Sequence, residues 1–201
     1  MTILTEITLA SASPRRLELL RSLGLQVEVV PSRYDERPDA APEPARIAAL
    51  HAKAKALEVG QRVPGGVIVA ADTVVDVDGA AYGKPVDDAD AFRMLHALSG
   101  REHLVHTAFS AIGSATGACI AGLQTTSVRF YTLSTGEIEQ YIASGEPMDK
   151  AGAYGIQGLG ATLVESICGD FYTVMGFPIA TFARRLPDLG FCLNLANSNI
   201  A

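Results

Sequence analysis

The run Val67-Ile68-Val69-Ala70-Ala71 is apolar at every position and leads directly into a carboxylate, Asp72. Side chains of a strand point alternately to opposite faces, so a strand that is apolar throughout has to be covered on both. The sheet must therefore lie between layers, and helical patterns on either side of the run supply them. The expected class is α/β, with Asp72 at the end of a buried strand.

The rest of the chain alternates accordingly. Strands are expected at 7–10 and 26–30. Between them Ser13 and Pro14 form a helix start, hydroxyl at the N-cap and proline at the first helical position, and Gly24 can close that helix. Residues 32–44 are polar and proline-bearing and read as a loop. A helix follows over roughly 44–59. At about 100° per residue its apolar stripe is Ile47, Leu50, Ala54 and Leu57, with Lys53 at the edge and Lys55 pointing away. A further helix, capped by Asp87 or Asp88, carries Ala91, Leu95 and Leu98. Segments near 103–112 and 118–133 read as strands joined through GSATG in a hairpin. Ser134 and Glu137 form a capping-box pair. ATLVESI (161–167) reads as a strand and PIATFARRL (178–186) as a closing helix, whereas the tail after Pro187 carries no signal.

Composition sets the outer bounds. Hydrophobic residues make up 48% of the 201 positions, which suits a substantial core; a single domain over 1–201 is expected. The net charge of −6 argues against nucleic-acid or anionic-membrane binding, yet leaves room for a small anion in a locally cationic cleft. Cys119, Cys168 and Cys192 lack metal or disulfide spacing, which fits a reducing cytoplasm. The N-terminus has no secretory-signal pattern, and no apolar stretch approaches the ~18 residues of a membrane span.

Several positions can carry chemistry, each with a plainer reading beside it. Ser11, Ser13, Arg15 and Arg16 crowd a helix N-terminus that suits a phosphate, or they are an ordinary cap with solvated arginines. Asp72 can bind Mg²⁺ or accept a proton from water, or it is a turn residue. Lys84, in the turn YGKP, and Lys53 can meet phosphate oxygens or lie along the surface. Glu36 belongs to an acidic loop. His51 and His96 read as helix-surface residues. The stretch SGEPMDKAGAYGIQGLG (144–160) is poor in core formers and rich in glycine. It is a slack loop, or it brings backbone, Asp149, Lys150 and Gln157 against a ligand. No GxxxxGK[ST] phosphate loop or GxSxG elbow is present, and GIQGLG lacks the order and the strand-to-helix setting of a dinucleotide fingerprint.

The ordered set LASASPRRLELL, ADTVV, GKP, LSG and SGEPMDKAGAYGIQG closely resembles the Maf family of nucleoside triphosphate pyrophosphatases over roughly residues 7–186. The resemblance implies an elongated, bent mixed β-sheet flanked by helices, with two lobes around a central cleft. It implies hydrolysis of a nucleoside triphosphate to monophosphate and pyrophosphate with a divalent cation, Mg²⁺ or Mn²⁺, by a cytoplasmic homodimer. Carried over by motif, Asp72 is the proton acceptor and a metal ligand, with Glu36, or Asp35 beside it, as the second carboxylate. Ser11, Arg15, Arg16, Lys53, Lys84 and Lys150 are expected around the substrate. Arg15, Thr73 and Gln157 map to the substrate-selecting positions of the branch acting on dTTP and UTP. The branch acting on 7-methyl-GTP differs at those motifs and remains an alternative, as does a non-enzymatic nucleotide-binding regulator of septum formation. The segment GDFYTVMGFP (169–178) departs from the family pattern, which leaves its packing open.

Overall fold

The computed structural model of the protein describes residues 1–36, 43–114 and 116–194. Its strands are β1 (Thr2–Ile3), β2 (Glu6–Leu9), β3 (Gln26–Val29), β4 (Val67–Val77), β5 (Ala80–Tyr82), β6 (Glu102–Gly113), β7 (Cys119–Phe130), β8 (Val164–Cys168) and β9 (Phe191–Cys192). Its α-helices are α1 (Pro14–Ser22), α2 (Pro44–Gly60), α3 (Asp88–Leu98), α4 (Thr135–Ala143), α5 (Phe171–Met175) and α6 (Ile179–Arg185). The loop expected at 32–44 falls partly outside the described residues, as does position 115 of the hairpin turn.

The main sheet is mixed, in the order β3-β2-β4-β6-β7-β8 with β5 also on β4. The pairs β3-β2 and β2-β4 are parallel; β4-β6, β6-β7, β7-β8 and β4-β5 are antiparallel. The alternation along β4 is the one the sequence demands. Val67, Val69 and Ala71, then Val75 and Val77, enter two hydrophobic clusters on one face. Ile68, Ala70 and Val74 meet α2 alanines on the other. The α/β class holds.

Two features position the cleft. First, β4 is longer than the sequence suggests and continues to Val77, so Asp72 is internal to the strand. Second, one edge of β4 is only partly paired. Its ladder with β2 ends at Val69, and its pairing with β5 begins at Val75. The strand between is therefore open on that side, and an acid can sit mid-strand because the gap gives it neighbours other than a ladder partner.

The helix starts repay comparison with expectation. Asp87 caps α3, and Ser134 with Glu137 completes the capping box of α4. Ser13 occupies the N-cap position of α1 but makes no side-chain cap; its backbone N–H donates to Ser11 Oγ instead. Several short elements had no clear sequence signal. Helix α5 is short and owes its start to Asp170, whose carboxylate accepts from the Thr173 N–H and hydroxyl. Strand β9 pairs with β1 and ties the two ends of the described chain together.

Candidate active site

The cleft opens over the unpaired stretch of β4 and encloses about 360 Å³. On the α2 side, Asp72 is 5% exposed and its two oxygens are separately held. Lys55 Nζ is 2.6 Å from Asp72 Oδ1, and His51 Nδ1 is 3.2 Å from Oδ2. An ionised carboxylate only accepts, so His51 carries its proton on Nδ1. The same Lys55 ammonium lies 2.6 Å from Glu36 Oε1 and so joins both acids. Burial works to raise the Asp72 pKa, but the His51 hydrogen bond and the charges of Lys55 and Arg16 outweigh it and hold the carboxyl below its ordinary value.

Lys55 and His51 are on this face because α2 packs on the sheet through small residues. Its buried positions include Ile47, Ala48, His51, Ala52, Lys55, Ala56 and Val59, whereas Leu50 and Leu57 are 39% and 47% exposed. The leucine stripe expected from the sequence is thus mostly on the wrong side. An alanine ridge lets the helix come close, and the polar residues beside it are tolerated because Asp72 pairs with them. Lys53, expected to reach phosphate, is exposed and does not line the cleft; Lys55, expected to point away, does. His51, expected on the helix surface, is buried against Asp72. The usable signal was the i, i+4, i+8 ladder of alanines at 48, 52 and 56, which marks the packed face more reliably than bulk does.

Glu36, His51 and Asp72 each bring a ligand atom within 4.8 Å of the others. The two carboxylates are donors that fit Mg²⁺ or Mn²⁺, whereas His51 spends Nδ1 on its hydrogen bond to Asp72. Lys55 stands between the carboxylates, so a cation bridging them would compete with the ammonium for the same oxygens. Of the two neighbouring acids, Glu36 reaches the cleft and Asp35 does not line it.

On the other side of β4, Arg16 is fixed as a fork. Its Nε donates to Gly176 O at 2.9 Å, Nη1 to Ser11 Oγ at 3.2 Å and Nη2 to Thr73 Oγ1 at 3.2 Å. Burial lowers its pKa, against the pull of Asp72 and Glu36, but an arginine stays cationic at neutral pH. Arg15 pairs with Asp149 Oδ2 at 3.0 Å, and Lys150 Nζ meets Asp149 Oδ1 at 2.7 Å. Asp149 thereby ties the start of α1 to the glycine-rich loop.

The model of one protein family, described as Maf-like protein, matches residues 6–189. The chain belongs to the Maf-like family. Among its relatives, the dTTP/UTP pyrophosphatase of Thermococcus gammatolerans is 49% identical over 92% of this chain and 97% of that protein. The dTTP/UTP pyrophosphatase of Symbiobacterium thermophilum is 44% identical over 92% and 95%. A probable bifunctional dTTP/UTP pyrophosphatase/methyltransferase protein of Homo sapiens is 45% identical, and the match spans 91% of this chain but 32% of that longer protein. The crystal structure of protein VC0702 from Vibrio cholerae overlaps 71% of this chain and 72% of that one at a TM-score of 0.34 and 11% identity, too distant to bear on the fold.

In this Maf-like chain the cleft gathers Ser11, Arg15, Arg16, Glu36, Asp72, Thr73, Lys84, Lys150 and Gln157 from the sequence-derived set, with Lys55 in place of Lys53. The glycine-rich loop is not slack. Its 3₁₀ turns at Glu146–Asp149, Ala151–Ala153 and Gly158–Leu163 are organised by the Glu146 carboxylate, which accepts from the Tyr141 hydroxyl and from the Leu159 and Gly160 N–H groups. Its glycines answer mainly to the protein itself. A Cβ on Gly152 would meet Val75, and one on Gly160 would fall onto the Gly155 carbonyl and Tyr141 hydroxyl. Gly160→Ala is therefore expected to lower stability by about 2 kcal/mol or more and to reduce turnover as the loop shifts; a thermal melt without the expected drop would refute this.

Proposed function

We propose that the chain hydrolyses dTTP and UTP to the nucleoside monophosphate and pyrophosphate. The observation that carries the reading is the Asp72–Lys55–Glu36 cluster facing Arg16 and Ser11 across the open edge of β4. The names of relatives up to 49% identical over nearly the whole chain support it.

In the reaction, water attacks the α-phosphorus and the bond to the β-phosphate oxygen breaks, releasing pyrophosphate. Glu36 and Asp72 would hold Mg²⁺ or Mn²⁺, which when bound polarises phosphate oxygens and offsets their charge. Because its carboxyl is held below the ordinary range, Asp72 serves better to orient the water than to retain its proton. Arg16, Lys55 and Lys84 supply positive charge for the triphosphate and the leaving group, and Arg16 needs little reorganisation because its fork is already fixed. Gln157 and Arg15, which line the cleft on the loop side, would read the base, whose edge a glutamine amide can match with one donor and one acceptor. The reading extends to a cytoplasmic homodimer, as the family resemblance implies.

Pyrophosphate release from UTP, dTTP, CTP and 7-methyl-GTP with Mg²⁺ tests this. UTP and dTTP are expected to exceed 7-methyl-GTP by about 10-fold or more in kcat/KM, a difference of about 1.4 kcal/mol in transition-state binding. A preference for 7-methyl-GTP would move the chain to the other branch. Tight nucleotide binding without turnover would favour the regulator.

A further inference from the structure

Thr107 lies in β6 directly opposite Thr73 of β4 and has no exposed surface. It does not line the cleft. Its hydroxyl is 2.7 Å from the Thr173 carbonyl oxygen and 2.9 Å from the Thr73 hydroxyl. A carbonyl oxygen has nothing to donate, so the single proton of Thr107 goes to Thr173. At the second contact Thr107 can then only accept, and the proton there comes from Thr73. The other neighbour of the Thr73 hydroxyl agrees, because Arg16 Nη2 is a donor without lone pairs. The whole chain of bonds has one polarity: Arg16 to Thr73, Thr73 to Thr107, Thr107 to the Thr173 carbonyl.

The terminal acceptor is itself held in place. Asp170 caps α5 through both the N–H and hydroxyl of Thr173, and Thr126 donates to the Asp170 carbonyl from β7. Thr126 and Thr173 are both fully buried. A free threonine hydroxyl turns to suit its neighbour, but Thr73 cannot. With one lone pair taken by Arg16 Nη2, it shows the cleft its remaining lone pair and no proton.

An acceptor-only wall is wrong for phosphate, which is itself all acceptor, and right for a ligand N–H. Uracil and thymine carry N3–H beside O4; cytosine carries a bare N3 beside an amino group. A glutamine amide can flip to serve either order, whereas a locked hydroxyl cannot. We propose that Thr107 is a positioning residue that makes this site favour uracil and thymine over cytosine, by committing the Thr73 proton inward so that Thr73 meets base N3–H as an acceptor only. This rests on the pyrimidine triphosphatase reading above.

The test is kcat/KM for UTP and for CTP in wild type, Thr107→Val, Thr107→Ser and Thr73→Val. Wild type should prefer UTP, Thr107→Ser should keep that preference, and Thr107→Val and Thr73→Val should each reduce the UTP/CTP ratio by about 10-fold or more. Thr107→Val is expected to fold, since the Thr173 carbonyl still accepts from the Gly176 N–H; if it does not, Thr107→Ala removes the same oxygen and is read the same way. A merely structural Thr107 would lower both activities together and leave the ratio alone, and that result overturns the proposal. So does a wild type without preference between UTP and CTP, or an unchanged ratio in Thr73→Val, which would place a sugar hydroxyl at Thr73. Should wild type hydrolyse neither UTP nor dTTP, the functional reading fails first; turnover of UTP with a ratio insensitive to Thr107 sinks the positioning role alone.

Discussion

Replacing Asp72 by asparagine is expected to lower kcat for UTP by about 10²–10⁴-fold with little change in KM. The substitution keeps the shape of the side chain, and its amide oxygen can still accept from Lys55. What it removes is the negative charge that, in the proposed mechanism, would hold a divalent cation and orient water. Arg16, proposed to bind phosphate, does not depend on it for its place, being fixed by Gly176, Ser11 and Thr73. Binding should therefore survive while the chemical step is lost. Stability should fall, but by less than the about 3–5 kcal/mol of a stranded buried charge, because Lys55 retains Glu36 at 2.6 Å. Steady-state pyrophosphate release and a thermal melt separate the two effects. Turnover within tenfold of wild type in a folded Asp72→Asn protein would remove Asp72 from the mechanism.

Much of the fold was legible because the strong signals are local. An apolar strand running up to Asp72, a proline at the start of α1 and the Ser134–Glu137 box each point to one element, and each appears as an element. The failures came where tertiary context decides. Asp72 seemed to end its strand because a charge in a buried strand is costly; only the missing ladder partner between Val69 and Val75 makes its place intelligible. Helix α5 and the β1–β9 pair are too short to show a period. The cleft residues on α1, β4 and the glycine-rich loop were found through residue type and resemblance, whereas the hydroxyl chain through Thr107 was invisible, since a buried threonine looks like any other strand residue. Glycine content in the loop suggests slack or backbone brought against a ligand, yet Gly152 and Gly160 are required by Val75 and Tyr141.

The sharpest misreading also gives the most discriminating experiment. Lys53 and Lys55 lie two residues apart on α2, and helical geometry sends them to different sides. Lys55 is 6% exposed and bonded to both acids of the site; Lys53 is exposed and lines no part of the cleft. Lys53→Met should change kcat/KM by less than about 2-fold and stability by no more than about 0.5 kcal/mol, as for other surface positions. Lys55→Met should cost about 10²–10³-fold in kcat, the usual loss when one preorganised charge is removed from a transition state. It should also destabilise the free protein, because Asp72 and Glu36 then face each other with their shared cation gone. A Lys55→Arg variant keeps the charge but not the compact ammonium that fits between two carboxylates, so it should recover stability more fully than turnover. Were Lys53→Met the inactive variant and Lys55→Met the neutral one, the position of α2 on the sheet would have to be wrong by nearly half a turn, and the acid pair would lose the cation that joins it.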